Sequence, residues 1–261
     1  MENWNSELKL NTKAIIEMKT QINHKFRHEL KFFIGRADAE LLKRKLGGFL
    51  ELDPFSLNSG DGYRVTSLYF DDYQMRAYFD KLDGVEDRTK YRVRTYNFDK
   101  KIINFEAKIK KGDLSRKEIL KLNYDEYEKL IKGEKIDWEK KISGLDFTNY
   151  VEILEKTKLL KPKIIVDYQR LAFLSAAGNV RITFDDFLQI SQSEVDMFNY
   201  SEQGWQKVLP QEILILEVKF DQFLPIFISK MLGELSLHKI AVSKYILCQQ
   251  LARQRHGILV R

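Results

Sequence analysis

Tyr91-Arg92-Val93-Arg94-Thr95-Tyr96 alternates residue by residue, and that alternation decides how the whole chain is read. A β-strand turns successive side chains to opposite faces, so Tyr91, Val93 and Thr95 share one face while Arg92, Arg94 and Tyr96 share the other. The same parity returns along the chain. Phe105 and Ala107 oppose Glu106 and Lys108; Leu216 and Val218 oppose Glu217 and Lys219; Glu29 and Lys31 project together from a strand over 26–34. Arg181, Thr183 and Asp185 share a face, and Arg170 follows Asp167-Tyr168-Gln169 in a long strand. A half-buried antiparallel sheet with a wet outer face gives this pattern too. Two features favour an enclosed surface: cations outnumber acids on these faces, and there is enough helical sequence to cover the apolar side. A sheet closed with its charged side inward makes a polar tunnel walled by cations. Such cations repel one another unless an anion fills the space.

Composition agrees with an anionic partner. The 261 residues carry a formal charge of +6 and a pI near 9.1. Basic balance by itself does not separate nucleotide, polyphosphate, nucleic acid or an acidic membrane surface. With hydrophobic residues at 44%, the chain has a real core to bury. Cys248 is its only cysteine, which excludes an intrachain disulfide and reads as a reducing, cytoplasmic setting. His24, His28, His238 and His256 lack the spacing of zinc ligands. Residues 1–25 contain no apolar run of signal-peptide length, and no later run approaches the ~20 residues of a membrane span.

The four prolines and 13 glycines form no linker, so residues 26–255 read as one domain preceded by an arm or short helix over 1–25. Strands are expected over 26–34, 63–70, 89–97, 102–110, 114–122, 163–174, 180–184 and 212–220. Helices are expected over 38–49, 124–131, 148–158, 225–235 and 243–253. This is an α+β pattern dominated by an antiparallel meander. Asp71/Asp72 and Asp185/Asp186 read as strand-end or capping residues. Lys43, Arg44 and Lys45 read as a solvent face of the first helix.

Eight short stretches occur in one order: Arg27 to Phe32, Tyr91 to Tyr96, Phe105 to Lys110, Ser115 to Glu118, Tyr168 to Phe173, Val180 to Asp185, Leu216 to Phe220 and Ser243 to Tyr245. Together they resemble the VTC domain, the polyphosphate polymerase branch of the triphosphate tunnel metalloenzymes, over nearly the whole chain. The resemblance implies an eight-stranded antiparallel β-barrel tunnel with flanking helices. It also implies transfer of the γ-phosphate of ATP to a growing polyphosphate chain with Mn2+ or Mg2+. By motif, Lys31, Arg92, Arg94, Lys108, Lys117, Arg170, Arg181, Lys219 and Lys244 would contact phosphate. Glu217 would be the principal metal ligand, assisted by Glu29 and Glu106. Arg116 competes with Lys117 for the inward position, because parity is least secure beside a turn.

The cyclase and thiamine triphosphatase branch opens with two glutamates and a lysine at alternate positions; here the first of these is Arg27, as in the polymerase branch. Two other readings stay open. One is a triphosphatase of the same fold, in which water replaces phosphate as the attacking group. The other is a module that holds polyphosphate or RNA without turning it over. RNA is disfavoured, because Tyr69, Phe70, Tyr78, Phe79, Tyr91 and Tyr96 lie in core-like contexts and not as a stacking platform.

Overall fold

A computed structural model describes residues 26–57, 61–134, 136, 159–191, 196–198, 204–235, 237–241 and 243–255. The expected arm over 1–25 and the expected helix over 148–158 lie outside the described residues. In chain order the elements are β1 (Arg27–Gly35), α1 (Arg36–Gly47), β2 (Glu51–Leu52), α2 (Pro54–Leu57), β3 (Tyr63–Asp71), α3 (Arg76–Leu82), β4 (Arg88–Tyr96), β5 (Ile103–Lys111), β6 (Leu114–Leu122), α4 (Tyr124–Lys132), β7 (Lys161–Ser175), β8 (Val180–Ser191), β9 (Gln206–Lys207), β10 (Ile213–Phe220), α5 (Ile226–Gly233), β11 (His238–Lys239) and α6 (Lys244–Arg255).

Eight strands form a ring in the order β7-β3-β4-β5-β6-β1-β10-β8, and β8 pairs back onto β7. Every junction is antiparallel, so the structure is the closed barrel expected from the alternating faces. Closure leaves no barrel strand with a bare edge. One seam is short: β1 and β6 share only Arg27 opposite Ser115 and His28 opposite Leu114.

The outer face is dry. Leu68, Val93, Phe105 and Leu120 pack beneath Tyr127 of α4, and Ile182, Phe184, Leu216 and Val218 pack beneath Leu42 and Leu46 of α1 and Ile228 of α5. α4 starts at Asn123, whose side chain accepts from the Glu126 backbone N–H while the Glu126 carboxylate accepts from the Asn123 N–H, a reciprocal cap.

The inner face differs from the expectation that it is charged throughout. Val65, Val166, Ile190 and Ile215 pack with Ile246, Cys248 and Ala252 of α6. α6 therefore seals part of the bore with apolar surface, and Cys248 is fully buried there. Further differences concern elements and their bounds. β2, α2, α3, β9 and β11 were not anticipated, and β8 runs on to Ser191 instead of stopping at Phe184. A register shift between Asp167 and Gln169, opposite the left-handed Phe187 (φ 52°), bends β7 and β8 without ending them.

Candidate functional site

The parity read from Tyr91 to Tyr96 places its arginines inside the barrel. Arg92 donates from Nε to Glu106 Oε2 at 2.7 Å and from Nη1 to the Tyr69 hydroxyl at 3.0 Å. Arg94 donates to Ser67 Oγ at 3.1 Å and to the Tyr168 hydroxyl at 3.2 Å, with Glu106 4.0 Å away. Lys117 completes the ring around Glu106, donating to Oε1 at 3.0 Å. Lys117 lies opposite Lys108 in the β5–β6 register, whereas Arg116 lies 3.6 Å from the Glu118 carboxylate on the other face. Lys117 is thus the inward residue of the two.

Arg170 forms a two-pronged bond with Asp185, Nε to Oδ1 at 2.6 Å and Nη2 to Oδ2 at 2.7 Å. Asp185 also contacts Lys244, which reaches in from the first residue of α6 and donates to Glu217 Oε1 at 2.7 Å. Asp185 is 1% exposed and sits mid-strand, which corrects its reading as a strand-end residue. Its neighbour Asp186 faces outward and binds Arg36. Asp71 does act as a cap, accepting from the backbone of Ala77 and Tyr78 at the start of α3 and from the Tyr245 hydroxyl at 2.7 Å.

Glu217 is shared. Besides Lys244 it meets Lys219 at 3.1 Å, Arg170 at 3.7 Å and Lys31 at 3.8 Å. Glu29 accepts from Lys108 at 2.5 Å and lies 3.7 Å from Lys31 and 3.6 Å from Lys219. Arg181 lies nearer one rim, on the Tyr63 hydroxyl at 2.8 Å and Asp53 at 2.9 Å. All the residues singled out by motif therefore converge on one bore. Sequence reasoning missed Asp185, Tyr69, Tyr168 and Lys90, whose ammonium donates to Ser243 Oγ at 2.8 Å.

Burial by itself would raise the three glutamates, but the cations around each outweigh it and hold all three well below the usual carboxylate range. Arg92 and Arg170 are raised, because Glu106 and Asp185 overcome their burial. Several lysines go the other way, Lys219 among them. Burial together with Lys31 and Lys219 lowers Lys108 to about 7 against the pull of Glu29, and burial with Lys31, Arg88 and Lys108 lowers Lys90 strongly.

Position by position the backbone serves this cluster. Gly62, just before β3, has φ 91°, and a Cβ there would stand 2.2 Å from the Arg170 carbonyl oxygen. Only glycine fits so close an approach.

Three cavities follow one another along the bore. One of about 220 Å3 reaches the rim at Arg27, Tyr63, Tyr96 and Arg181. A central one of about 60 Å3 lies among Arg92, Arg170, Glu217 and Lys244. The third, about 430 Å3, opens beside the short β1–β6 seam at Lys81, Arg88, Lys110 and Lys239. Neighbouring cavities share Lys108, and the central one shares Lys31 and Lys90 with the largest.

Among the described residues no three His, Cys, Asp or Glu side chains cluster as a metal cage. The donor set does suit a hard ion carried in with phosphate: Glu29 Oε1 is buried without a hydrogen-bond partner, and Glu217 lies across Lys31 and Lys219 from it. Mg2+ and ions like it are commonly held by one or two carboxylates plus phosphate oxygens. No helix among the described residues is long and apolar enough to cross a membrane.

The family profile described as the VTC domain matches residues 26–252. No curated protein matches the sequence. Among solved structures, a candidate adenylate cyclase from Bacillus halodurans is 13% identical, with 80% of this chain and 87% of that chain covered at a TM-score of 0.45. A candidate adenylyl cyclase from Hippeastrum, described as having a dominant triphosphatase activity, is 13% identical, with 90% and 97% covered at a TM-score of 0.44.

Proposed function

We propose, from the premise that this chain belongs to the VTC domain family, that it transfers the γ-phosphate of ATP to the end of an inorganic polyphosphate chain, using Mn2+ or Mg2+. Residues 26–255 act as one domain in this reading, and the lone, buried Cys248 supports a cytoplasmic setting. The observation that carries it is the extent of the cationic lining. Lysines and arginines continue past the central Glu217 cluster in both directions, so a polyanion longer than a triphosphate meets them throughout.

The chemistry needs no protein nucleophile. A terminal oxygen of the acceptor chain forms a bond to the γ-phosphorus, the bond from that phosphorus to the β–γ bridging oxygen breaks, and ADP leaves. Arg92 and Arg94 grip the triphosphate, fixed in direction by Glu106, Ser67 and Tyr168. Arg170, Arg181 and Lys219 offset the charge that spreads over the equatorial oxygens in the transition state. Lys31, Lys108, Lys117 and Lys244 hold the flanking phosphates. Glu217 would hold the ion, with Glu29 beside it and Glu106 acting mainly as the anchor of Arg92; an ion held there would supply neutralisation of phosphate charge. α6 excludes water from one side of the centre through Tyr245 and Ile246.

Incubation with ATP and Mn2+ is expected to give polyphosphate resolvable on a gel, and Glu217→Gln to lower the rate by about 10²- to 10³-fold. Release of orthophosphate without chain growth would replace transfer by hydrolysis. An active Glu217→Gln protein would remove Glu217 from the ion.

A further inference from the structure

Three consecutive residues fasten the start of α6 to the barrel, each to a different part of it. Ser243 accepts from Lys90 of β4, Lys244 donates to Glu217 of β10 and contacts Asp185 of β8, and the Tyr245 hydroxyl donates to Asp71, the last residue of β3, at 2.7 Å. Asp71 is a firm anchor, because it is buried and also accepts from the backbone N–H groups of Asp72, Ala77 and Tyr78. Burial and that carboxylate push the pKa of the Tyr245 hydroxyl up, so it stays a donor. Asp71 lies off the central cavity that Tyr245 lines, so what Tyr245 presents to the centre is its ring.

That ring stacks on Tyr69, with centroids 5.0 Å apart and planes 25° from parallel, and the Lys90 ammonium lies 5.3 Å from its centre. Tyr69 stands opposite Arg92 in the β3–β4 register, and its hydroxyl accepts from Arg92 Nη1 at 3.0 Å. Glu106 answers the guanidinium through Nε and Nη2, so the remaining nitrogen takes its direction from Tyr69. Both rings are buried, and in a close-packed interior neither turns without displacing its neighbours. We infer that Tyr245 is a positioning residue of the centre: anchored on Asp71, it braces Tyr69, which fixes the direction of Arg92. The path runs from the cap of α3 through two stacked rings to a cation, and its bearing on the reaction rests on the role proposed above for Arg92.

The test is a double-mutant cycle between Tyr69→Phe, which removes the hydroxyl that holds Arg92, and Tyr245→Leu, which removes the ring behind it. Each variant is read by kcat/KM for ADP release from ATP and by tripolyphosphate affinity in titration calorimetry, with circular dichroism to check folding. Each single change is expected to cost about three- to tenfold in both readings. The double variant is expected to lose no more than the worse single one, a coupling of about threefold or more. Tyr245→Phe keeps the stack and loses the bond to Asp71, so it should fall between wild type and Tyr245→Leu; it carries the cycle if the leucine protein does not fold. A tyrosine that merely fills space would lower the unfolding midpoint with kcat/KM intact, or give losses that multiply in the double variant, and either result would overturn the assignment. ADP release counts transfer and hydrolysis alike, and tripolyphosphate binding needs no reaction. Orthophosphate without chain growth would therefore remove the transfer reaction and leave Tyr245 in its role.

Discussion

The central bore has an arginine wall and a lysine wall, and they hold charge differently. On the first, Arg92, Arg94 and Arg170 each make at least two directed bonds to fixed acceptors, and Asp185 answers Arg170 oxygen for nitrogen. On the second, Glu29 is divided among Lys31, Lys108 and Lys219, and Lys90 meets a serine hydroxyl and the face of the Tyr245 ring. A guanidinium keeps its proton and its plane, whereas an ammonium in a crowded, dry site can give its proton up. The arginine wall is thus pre-set before substrate arrives, whereas on the lysine wall the charge of Lys108 and Lys90 depends on what occupies the bore, Lys31 being raised by Glu29 and Glu217.

The strongest way to break this contrast is Arg170→Lys. It keeps the charge but removes the two-pronged bond to Asp185, and turnover is expected to fall by about 10²-fold or more. Wild-type turnover in that variant, measured with ATP and Mn2+, would show that the planar fork is dispensable.

Lys108→Arg sharpens the contrast on the other wall. In the free protein Lys108 gives up its proton as pH rises through about 7. Bound phosphate favours the protonated form, so anion binding above that pH takes up a proton. Tripolyphosphate affinity is expected to fall by up to about tenfold per pH unit there, and to flatten in Lys108→Arg. Calorimetry in two buffers of different ionisation heat reads the uptake directly; none above pH 7 would sink the idea. The same shift bears on folding. Because the folded value lies below the unfolded 10.5, the unfolded chain binds the extra proton, and the ligand-free protein gains stability as pH climbs from about 7 toward that value.

The smallest effect belongs outside the barrel. Arg36 meets Asp186 at 2.7 and 2.9 Å with 35% of its side chain exposed. Arg36→Ala is expected to cost less than about 1 kcal/mol in denaturant unfolding and to leave turnover alone. A large loss of turnover would mean that the outer pair steers Asp185 through the shared strand.

Much of this architecture was legible because β4, β5 and β10 alternate cleanly and a closed barrel gives each parity one meaning. Where alternation failed, the reading failed with it. The doublet Asp185-Asp186 interrupts an apolar strand and looks like an end, but the bend at Phe187 lets β8 continue, with one aspartate turned inward and one outward. β3 mixes apolar and polar residues on both faces, with Tyr63, Val65 and Ser67 on one and Arg64, Thr66 and Leu68 on the other, so nothing local showed that Val65 points into the barrel to meet α6. Lys244 carried no local signal either; it stands at a helix start, and its position was implied only by resemblance. Which acid folds back behind each cation is likewise a property of distant pairs, such as Arg181 with Asp53.

Gly62 turns this dependence on distant pairs into a mechanical limit. With a gap of 2.2 Å between a would-be methyl group and the Arg170 carbonyl, the loop entering β3 acts as a stop against which β7 rests. Gly62→Ala would wedge the two strands apart where the guanidinium is anchored. The alignment of a buried cation is thus governed by a residue with no side chain at all.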